Sequence, residues 1–350
     1  MMRPEQERTG RHRRASVLGL AAVSTPTPLH ERSADLEREL EVRRRELTGY
    51  CYRMLGSGSE AEDAVQETFI RAWRKIDAFE GRSSLRSWLY RIAHNVCLDM
   101  LRSVQRRARP LELGPSGSAD GDIGPTRDEE MWVRPIADDR VLPDDGDPGD
   151  VAAGRESIRL AFVTALQHLP PKQRSVLIFR EVLRWQATEV AELLDTSVAS
   201  VNSALQRARA TLESLPPTGA GPTLVDDDHR DLLARYVDAF ERYDISALVA
   251  LLHEDATMSM PPWELWLQGP TEIGKWHLGK GIGCEGSRVL PITANGVPGV
   301  ASYKPHEDGT LRPWSIQVIE SRDGKITALN HFIYEELFAE FGLPPVLTEG

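Results

Sequence analysis

The sequence predicts a multidomain protein, in which two all-α helical domains precede a C-terminal α+β cone with a curved antiparallel sheet. Residues 47–109 and 168–212 place apolar residues three and four positions apart, which indicates amphipathic helices. Residues 288–334 alternate apolar and polar residues in short runs, which is typical of strands. The chain has 350 residues and therefore room for two or three domains with a sizeable total core.

Charge and composition divide the chain further. Residues 111–154 contain 12 Asp or Glu against 3 Arg, with repeated Gly and Pro, so a net charge of −11 is concentrated between the helical domains. We interpret this stretch as a flexible linker that is too polar to fold alone. The expected segments are a disordered basic N-terminus (1–30), a first helical domain (31–110), the acidic linker (111–154), a second helical domain (155–215), a Pro/Gly linker (216–227) and the cone (228–350).

Residues 168–212 predict a helix-turn-helix preceded by one further helix. Pro170–Pro171 open the leading helix, and Ser197 is the predicted N-cap of the last one. The last helix has an apolar side formed by Val198, Val201, Leu205, Ala208 and Leu212. Its other side has short polar and basic residues and no acid, which suits a helix in a DNA major groove; an ordinary trihelical core with a solvated surface is the alternative. The candidate DNA contacts are Ser197, Ser200, Asn202, Ser203, Gln206, Arg207 and Arg209.

Residues 47–109 predict two helices with contrasting surfaces. Ser59 and Glu62 form a capping-box pattern at the start of the first helix. The acidic, amide-rich face of this helix carries Glu60, Asp63, Gln66, Glu67 and Arg71. The second helix follows Gly81, presents aromatic and apolar residues at helical spacing, and ends in the cluster Arg102, Arg106, Arg107 and Arg109. A soluble bundle with solvated charges would also explain both helices.

The segment EAEDAVQETFIRAWRKIDAFEGRSSLRSWLYRIAHNVCLDMLR resembles region two of the extracytoplasmic-function (ECF) sigma factors of bacterial RNA polymerase. The helix-turn-helix resembles region four of the same family, in the same order along the chain. The resemblance implies a cytoplasmic sigma factor, not an enzyme, whose partners are core RNA polymerase and promoter DNA. A DNA-binding regulator that never joins polymerase is the alternative, and it would not need the acidic helix face.

The resemblance also implies roles for individual residues. Those implied to bind core polymerase are Asp63, Gln66, Glu67, Phe69 and Arg71, of which Phe69 and Arg71 could equally be structural. Those implied to bind the minus-ten element are Tyr90, Arg91, His94, Asn95, Asp99, Arg102, Arg106 and Arg107; the arginines would neutralise phosphates. The helix-turn-helix would read the minus-thirty-five element.

Two features of these regions leave alternatives open. Many family members have basic residues where this chain has Asn202 and Ala204, so affinity for the upstream element is expected to depend on other basic residues. These are Arg207, Arg209, Lys172, Arg174, Arg180 and Arg184. In the family, a linker between the regions can thread near the catalytic cleft and mimic nucleic acid, whereas simple solvation explains its acidity equally well.

The string AFERYDISALVALLHEDATMSMPP resembles the SnoaL-like, nuclear-transport-factor-like superfamily, which includes cyclases and isomerases. The chain shows no recognised catalytic set of that superfamily, so we expect the cone to modulate the sigma factor; a SnoaL-like enzyme or a ligand-sensing domain is the alternative. A pocket for a small-molecule ligand would be formed by Trp263, Trp276, His277, Tyr303, Trp314 and His331.

The remaining residues indicate no further chemistry. Cys51, Cys97 and Cys284 lie in unrelated segments without CxxC spacing, so neither a disulfide framework nor a zinc site is expected. No cofactor is expected. We expect no membrane partner, because no apolar run approaches the length of a membrane span.

Overall fold

A computed structural model describes residues 29–79, 81, 83–102, 106–143, 147–215 and 227–348. The expected disordered N-terminus and the Pro/Gly linker lie almost entirely outside these residues. Within them, the chain forms two helical domains and a cone, as the sequence predicts.

The described residues of the first helical domain form three α-helices. They are α1 (Leu29–Leu55), α2 (Gly58–Lys75) and α3 (Leu85–Leu101). Helix α2 begins earlier than predicted, because the Ser57 hydroxyl, rather than that of Ser59, accepts the hydrogen bond that caps it, from the backbone N–H of Glu60. The predicted Ser59–Glu62 capping box is therefore wrong, although the apolar stripe that it was expected to precede is buried at Ala61, Val65 and Ala72.

The second helical domain contains the predicted helix-turn-helix. Its helices are α4 (Pro148–Glu156), α5 (Leu160–Gln167), α6 (Pro171–Leu177), α7 (Ala187–Leu193) and α8 (Val198–Glu213). Ser197 caps α8 as expected, since its hydroxyl accepts the N–H of Ser200 at 3.1 Å. Val201, Leu205 and Ala208 are buried. Val198 is exposed, contrary to the prediction, because it is the first residue of the helix and precedes the turn that packs on α6.

The described residues of the cone form four α-helices and a seven-stranded sheet. These are α9 (Asp227–Glu241), α10 (Ile245–Ala250), β1 (Leu252–Ser259), β2 (Trp266–Gln268), α11 (Pro270–Leu278), β3 (Arg288–Ala294), β4 (Val297–Pro305), β5 (Thr310–Arg322), β6 (Lys325–Phe332), α12 (Leu337–Glu340) and β7 (Leu347–Thr348). The strand order is β2-β1-β6-β5-β4-β3, and β7 pairs with β5. The sheet is mixed rather than antiparallel, because β1 runs parallel to β6 after the long connection through α11 and β3–β5.

The two faces of this sheet have different partners. Cross-strand register places Val300, Gln317 and His331 on one face, which packs against α9 and α11. The other face carries Ala301, Ile316, Val318 and Phe332, which belong to one apolar core with residues of both helical domains. The cone is thus continuous with the helical domains through the outer face of its sheet.

The segment expected to be a flexible linker is instead packed between the cone and the first helical domain, where the structure describes it. Trp132 is 0 % exposed within the shared apolar core. All three arginines of the segment form ion pairs: Arg127 with Glu264, Arg134 with Glu336 and Glu340, and Arg140 with Glu62. The prediction of flexibility is wrong because a few apolar side chains and these arginines find partners outside the segment, which composition alone does not reveal.

Candidate polymerase and promoter interface

One face of α2 is exposed and combines acidic, amide and large apolar side chains. Asp63 and Gln66, two of the residues expected to bind polymerase, are exposed. Ile70 and Trp73 follow at helical spacing and are 38 % and 45 % exposed. Ile70 and Trp73 were not among the predicted contacts, although their spacing from Asp63 and Gln66 places them on the same side of the helix. We call Asp63, Gln66, Ile70 and Trp73 the α2 face.

The other candidate polymerase contacts have structural partners. Arg71 bonds to Glu67 at 2.7 Å and to Asp99 of α3 at 3.0 Å, so it ties the two helices together. Both hydrogen bonds raise the pKa of Arg71. Phe69 is half-buried beneath the Arg44 guanidinium, which lies 4.8 Å from the ring centroid. Glu67 is only partly exposed, so Asp63 and Gln66 are the most exposed of the residues that were predicted to bind polymerase.

The candidate minus-ten residues divide between the surface and the interior. Arg91, Asn95, Asp99, Arg102 and Arg106 are exposed. Tyr90, His94 and Arg107 are buried in this structure, so the sequence-based expectation that they face DNA does not hold for it.

Each buried member of this set has interior contacts that explain its position. The ring of Tyr90 lies 5.2 Å from Trp185 and 5.7 Å from Phe179, both in the second helical domain. His94 is hydrogen-bonded to the Tyr50 hydroxyl at 3.0 Å, and burial lowers its pKa to about 4. Arg107 donates to the carbonyl of Trp132 at 3.0 Å and also pairs with Glu60. Period-3.6 patterning alone does not distinguish these positions from surface ones.

The helix-turn-helix presents the predicted surface to solvent. Ser197, Asn202, Ser203, Gln206, Arg207 and Arg209 are exposed and Ser200 is half-buried. Arg209 also pairs with Glu181 at 2.5 Å. Ala204 is 1 % exposed and belongs to the helical core, so it does not face DNA.

Arg174 was expected to be one of the surface cations of the second helical domain, but it does not lie on the surface. It is buried, and its guanidinium donates to the side chain of Gln167 at 2.7 Å, to the carbonyl of Leu169 at 3.1 Å and to that of Met54 in the first domain. Burial lowers its pKa to about 10. This arginine therefore links the two helical domains.

The two helical domains contact each other through α3, the helix that carries the candidate minus-ten residues, while the candidate DNA face of α8 stays exposed. Arg91 of α3 donates to the carbonyl of Glu192 in α7 at 2.8 Å. The Arg86 guanidinium lies 5.5 Å from the Tyr90 ring and 5.3 Å from the Trp185 ring. The helix that carries the candidate minus-ten residues thus packs directly on the helix-turn-helix.

The predicted cone pocket is only partly assembled. His277 and His331 face each other on the concave side, where burial lowers the pKa of His277 to about 4, and burial together with His277 lowers that of His331 to about 3. Trp263 and Trp276 pack in the same concave cluster. Tyr303 lies on the opposite face of the sheet, against Phe338 and with its hydroxyl donated to the carbonyl of Pro344. Trp314 is half-buried with the Lys304 ammonium 3.4 Å from its ring centroid.

The prediction that Tyr303 lines the cone pocket is wrong because it was based on the residue type and not on the face of the sheet that its position in β4 determines. Tyr303 lies two residues after Ala301 on β4 and therefore shares its outer face, and the β-bulge beside it adds an extra residue, Trp314, to β5. Within the described residues, no group of three or more His, Cys, Asp or Glu is arranged to hold a metal ion. No described helix is both long and apolar enough to cross a membrane.

Comparison with known proteins agrees with this architecture. Residues 41–107 match Sigma-70 region 2, and residues 159–212 match Sigma-70, region 4. These matches define a sigma-70 protein whose first and second helical domains are regions two and four.

Full-length relatives define the family more closely. The chain is 43 % identical over 333 residues to the ECF RNA polymerase sigma factor SigG of Mycobacterium tuberculosis, which covers 94 % of this chain and 89 % of the relative. It is 28 % identical over 309 residues to SigJ of the same organism, covering 83 % of this chain and 89 % of SigJ. The crystal structure of SigJ superposes with a TM-score of 0.58 at 26 % identity, over 88 % of this chain and all of that one. The chain belongs to the ECF RNA polymerase sigma factors and carries a C-terminal α+β cone.

Proposed function

We propose that this ECF sigma factor docks on core RNA polymerase through the α2 face, and that Ile70 and Trp73 are the centre of that contact. The observation that carries the proposal is the exposure of two large apolar side chains beside Asp63 and Gln66. Exposed aromatic side chains with neighbouring polar groups are typical of interface centres, where few residues supply most of the binding free energy. The adjacent acid would orient the approach to a basic partner surface.

Replacing Trp73 with alanine is expected to weaken core binding about 30-fold, because loss of an interface aromatic removes about 2 kcal/mol. The measurement is titration of labelled protein with core polymerase. Val42→Ala is the matched control, since Val42 is an exposed apolar residue on a different helix. Equal affinity of both variants and the parent would place the polymerase contact elsewhere.

We also propose that the structure is a closed state that opens before promoter binding. The minus-ten and minus-thirty-five elements are separated by about 25 base pairs, which is about 85 Å along B-form DNA. Here α3 contacts α7 directly, through the bond from Arg91 to Glu192. Regions two and four in contact cannot reach both elements at once, so the interface between them must separate.

For the open state, we propose that the exposed face of α8 reads the upstream element and that Arg207 is its principal cation. Arg207→Ala is expected to lower holoenzyme affinity for the promoter about 10-fold, since one good base or phosphate contact contributes about 1–3 kcal/mol. The measurement is a binding titration with an intact and a scrambled upstream element, repeated at several salt concentrations. Arg242→Ala, on the cone, is the control and should bind like the parent. If the Arg207→Ala variant prefers the intact over the scrambled element as strongly as the parent does, α8 does not read the upstream element through Arg207.

The cone is proposed to regulate the sigma factor rather than to catalyse a reaction. A general base that works near neutral pH needs a pKa near that pH, whereas His277 and His331 have pKa values of about 4 and about 3. Both imidazoles are therefore neutral and weakly basic at pH 7. Instead, the packing of the cone on the helical domains supports a role in holding the closed state.

A second candidate function of the cone is to bind a small hydrogen-bonding molecule. His277 is 2 % exposed, and neither of its ring nitrogens has a hydrogen-bond partner among the described residues. Buried polar atoms are normally paired, so these nitrogens favour a polar occupant of the concave face. Native mass spectrometry of the purified protein would show that molecule as added mass, absent from His277→Ala; equal masses after correction for the substitution would exclude it.

A further inference from the structure

The turn between β3 and β4 projects from the cone into the helical domains. It consists of Asn295 and Gly296, both with positive φ (55° and 74°), which is the conformation of a two-residue hairpin turn. Flanking it, Ala294 forms an isolated β-bridge with Ala137 of the linker. The tip is therefore a preformed element of the cone that is inserted between other segments.

Asn295 is 0 % exposed, and its side chain bonds to three separate parts of the chain. Its Nδ2 donates to the Tyr52 hydroxyl of region two at 2.6 Å and to the carbonyl of Ile158, at the entrance to region four, at 2.7 Å. Its Oδ1 accepts the backbone N–H of Ile136 in the linker at 3.1 Å, and its own N–H donates to the Ile136 carbonyl at 3.0 Å. A single amide thus satisfies buried groups of region two, region four and the linker.

The neighbouring glycine makes the fit specific. The N–H of Gly296 donates to the Asp138 carboxylate at 2.8 Å. A Cβ at Gly296 would lie 2.7 Å from the carbonyl oxygen of Arg155, so no larger residue fits without movement of that backbone. The Tyr52 hydroxyl that accepts from Asn295 donates in turn to the carbonyl of Arg134, which extends the network into the linker.

The segment that Asn295 contacts is also where regions two and four are joined. Arg53, next to Tyr52 on α1, donates to the carbonyl of Ser157 at 3.1 Å and to its hydroxyl at 2.5 Å. Ser157 precedes Ile158, so α1 and the hairpin tip bond to two adjacent residues. When the tip leaves, the Ile158 carbonyl and the Ile136 N–H lose their partners inside the protein, and this favours separation of the surfaces so that water can reach them.

We propose that the Asn295–Gly296 tip is an intramolecular latch, by which the cone holds regions two and four in the closed state until it is withdrawn. This inference rests on the proposal that the closed state must open for promoter binding. The latch assigns the regulation to Asn295 because this side chain bonds to region two, the linker and the entrance to region four, whereas the buried Arg109–Glu320 ion pair, at 3.7 Å, joins the cone to region two alone. Withdrawal of the hairpin would break the contacts to both regions in one movement.

The test compares Asn295→Gly with Asp323→Gly in the full-length protein. Glycine at 295 removes every side-chain bond but keeps the positive φ, and Asp323 has a matching φ of 53° in the exposed β5–β6 turn. Fluorophores at Lys75 and Glu213, both exposed and outside the candidate polymerase and DNA contacts, would report the separation of regions two and four. These would be attached to introduced cysteines in a Cys284→Ser background, since Cys51 and Cys97 are buried.

Asn295→Gly is expected to raise the population with a long label separation at least about fivefold, while Asp323→Gly matches the parent. It should also raise the affinity of the free protein for promoter DNA by about the same factor. If Asn295→Gly misfolds, as circular dichroism would show, Tyr52→Phe removes one arm of the latch and is expected to shift the populations in the same direction.

Two failures are distinguishable. If the folded variant keeps the closed separation of the parent, while the parent opens in the complex with polymerase and promoter, the latch is wrong and the proposed opening stands. If the parent keeps the short label separation even in that complex, the proposed opening is wrong, and the latch proposal, which depends on it, is wrong as well.

Discussion

Replacing Trp132 with alanine is expected to lower the free energy of unfolding by about 3–5 kcal/mol, the usual cost of removing a large aromatic side chain from a packed core. Trp132 is 0 % exposed and belongs to the apolar core that joins the helical domains to the cone. Its backbone also pairs with Ala108 and accepts a hydrogen bond from Arg107. The indole therefore fixes the segment between regions two and four, which composition had marked as flexible.

The measurement is urea denaturation of the full-length protein and of the variant. Trp73→Ala is the matched control, because Trp73 is the same residue type at 45 % exposure and its loss should cost less than about 1 kcal/mol. If both variants lose the same small amount of stability, Trp132 does not hold the linker in place. The sequence-based interpretation of residues 111–154 as a flexible linker would then be favoured.

A covalent bridge between α3 and α7 is expected to reduce transcription at least about 100-fold, since it removes the open state that binds both promoter elements. Cysteines would replace Arg91 and Glu192, the two residues that are joined by a hydrogen bond in the closed state. A short bismaleimide with a cleavable disulfide would join them in the Cys284→Ser background. The same protein before bridging is the reference, because Arg91 is itself a candidate DNA contact.

Cleavage of the bridge by a reductant should restore transcription to the level before bridging. The single variant Glu192→Cys, treated with the same reagent, should keep its activity. Full transcription from bridged protein would mean that regions two and four act while in contact, which contradicts the proposed opening.

Local patterns predicted the local structure well. The Ser197 cap and the apolar stripe through Val201, Leu205 and Ala208 depend only on residues close in sequence, and the structure has them. The exposed residues of α8 follow from the same periodicity. The cap of α2 was misplaced by two residues because Ser57 and Ser59 both fit the pattern, and the choice depends on the backbone path before the helix.

Long-range packing could not be predicted in the same way. Tyr90 and His94 are buried because Trp185 and Tyr50 meet them across helices that are distant in sequence. Trp132 looked like an isolated aromatic in a polar stretch, whereas the core that it enters is supplied by the helical domains and the cone. The Asn295–Gly296 turn was not predicted, although Asn-Gly is typical of a two-residue hairpin, and its insertion between regions two and four depends on tertiary contacts alone.

The central claim is tested most directly by run-off transcription with purified core polymerase on a template that carries a promoter selected by this protein. We expect a transcript that starts at one position and depends on the added protein, and that is lost with a variant carrying both Ile70→Ser and Trp73→Ser. A correctly folded protein that neither binds the core enzyme nor yields a specific transcript would contradict the account.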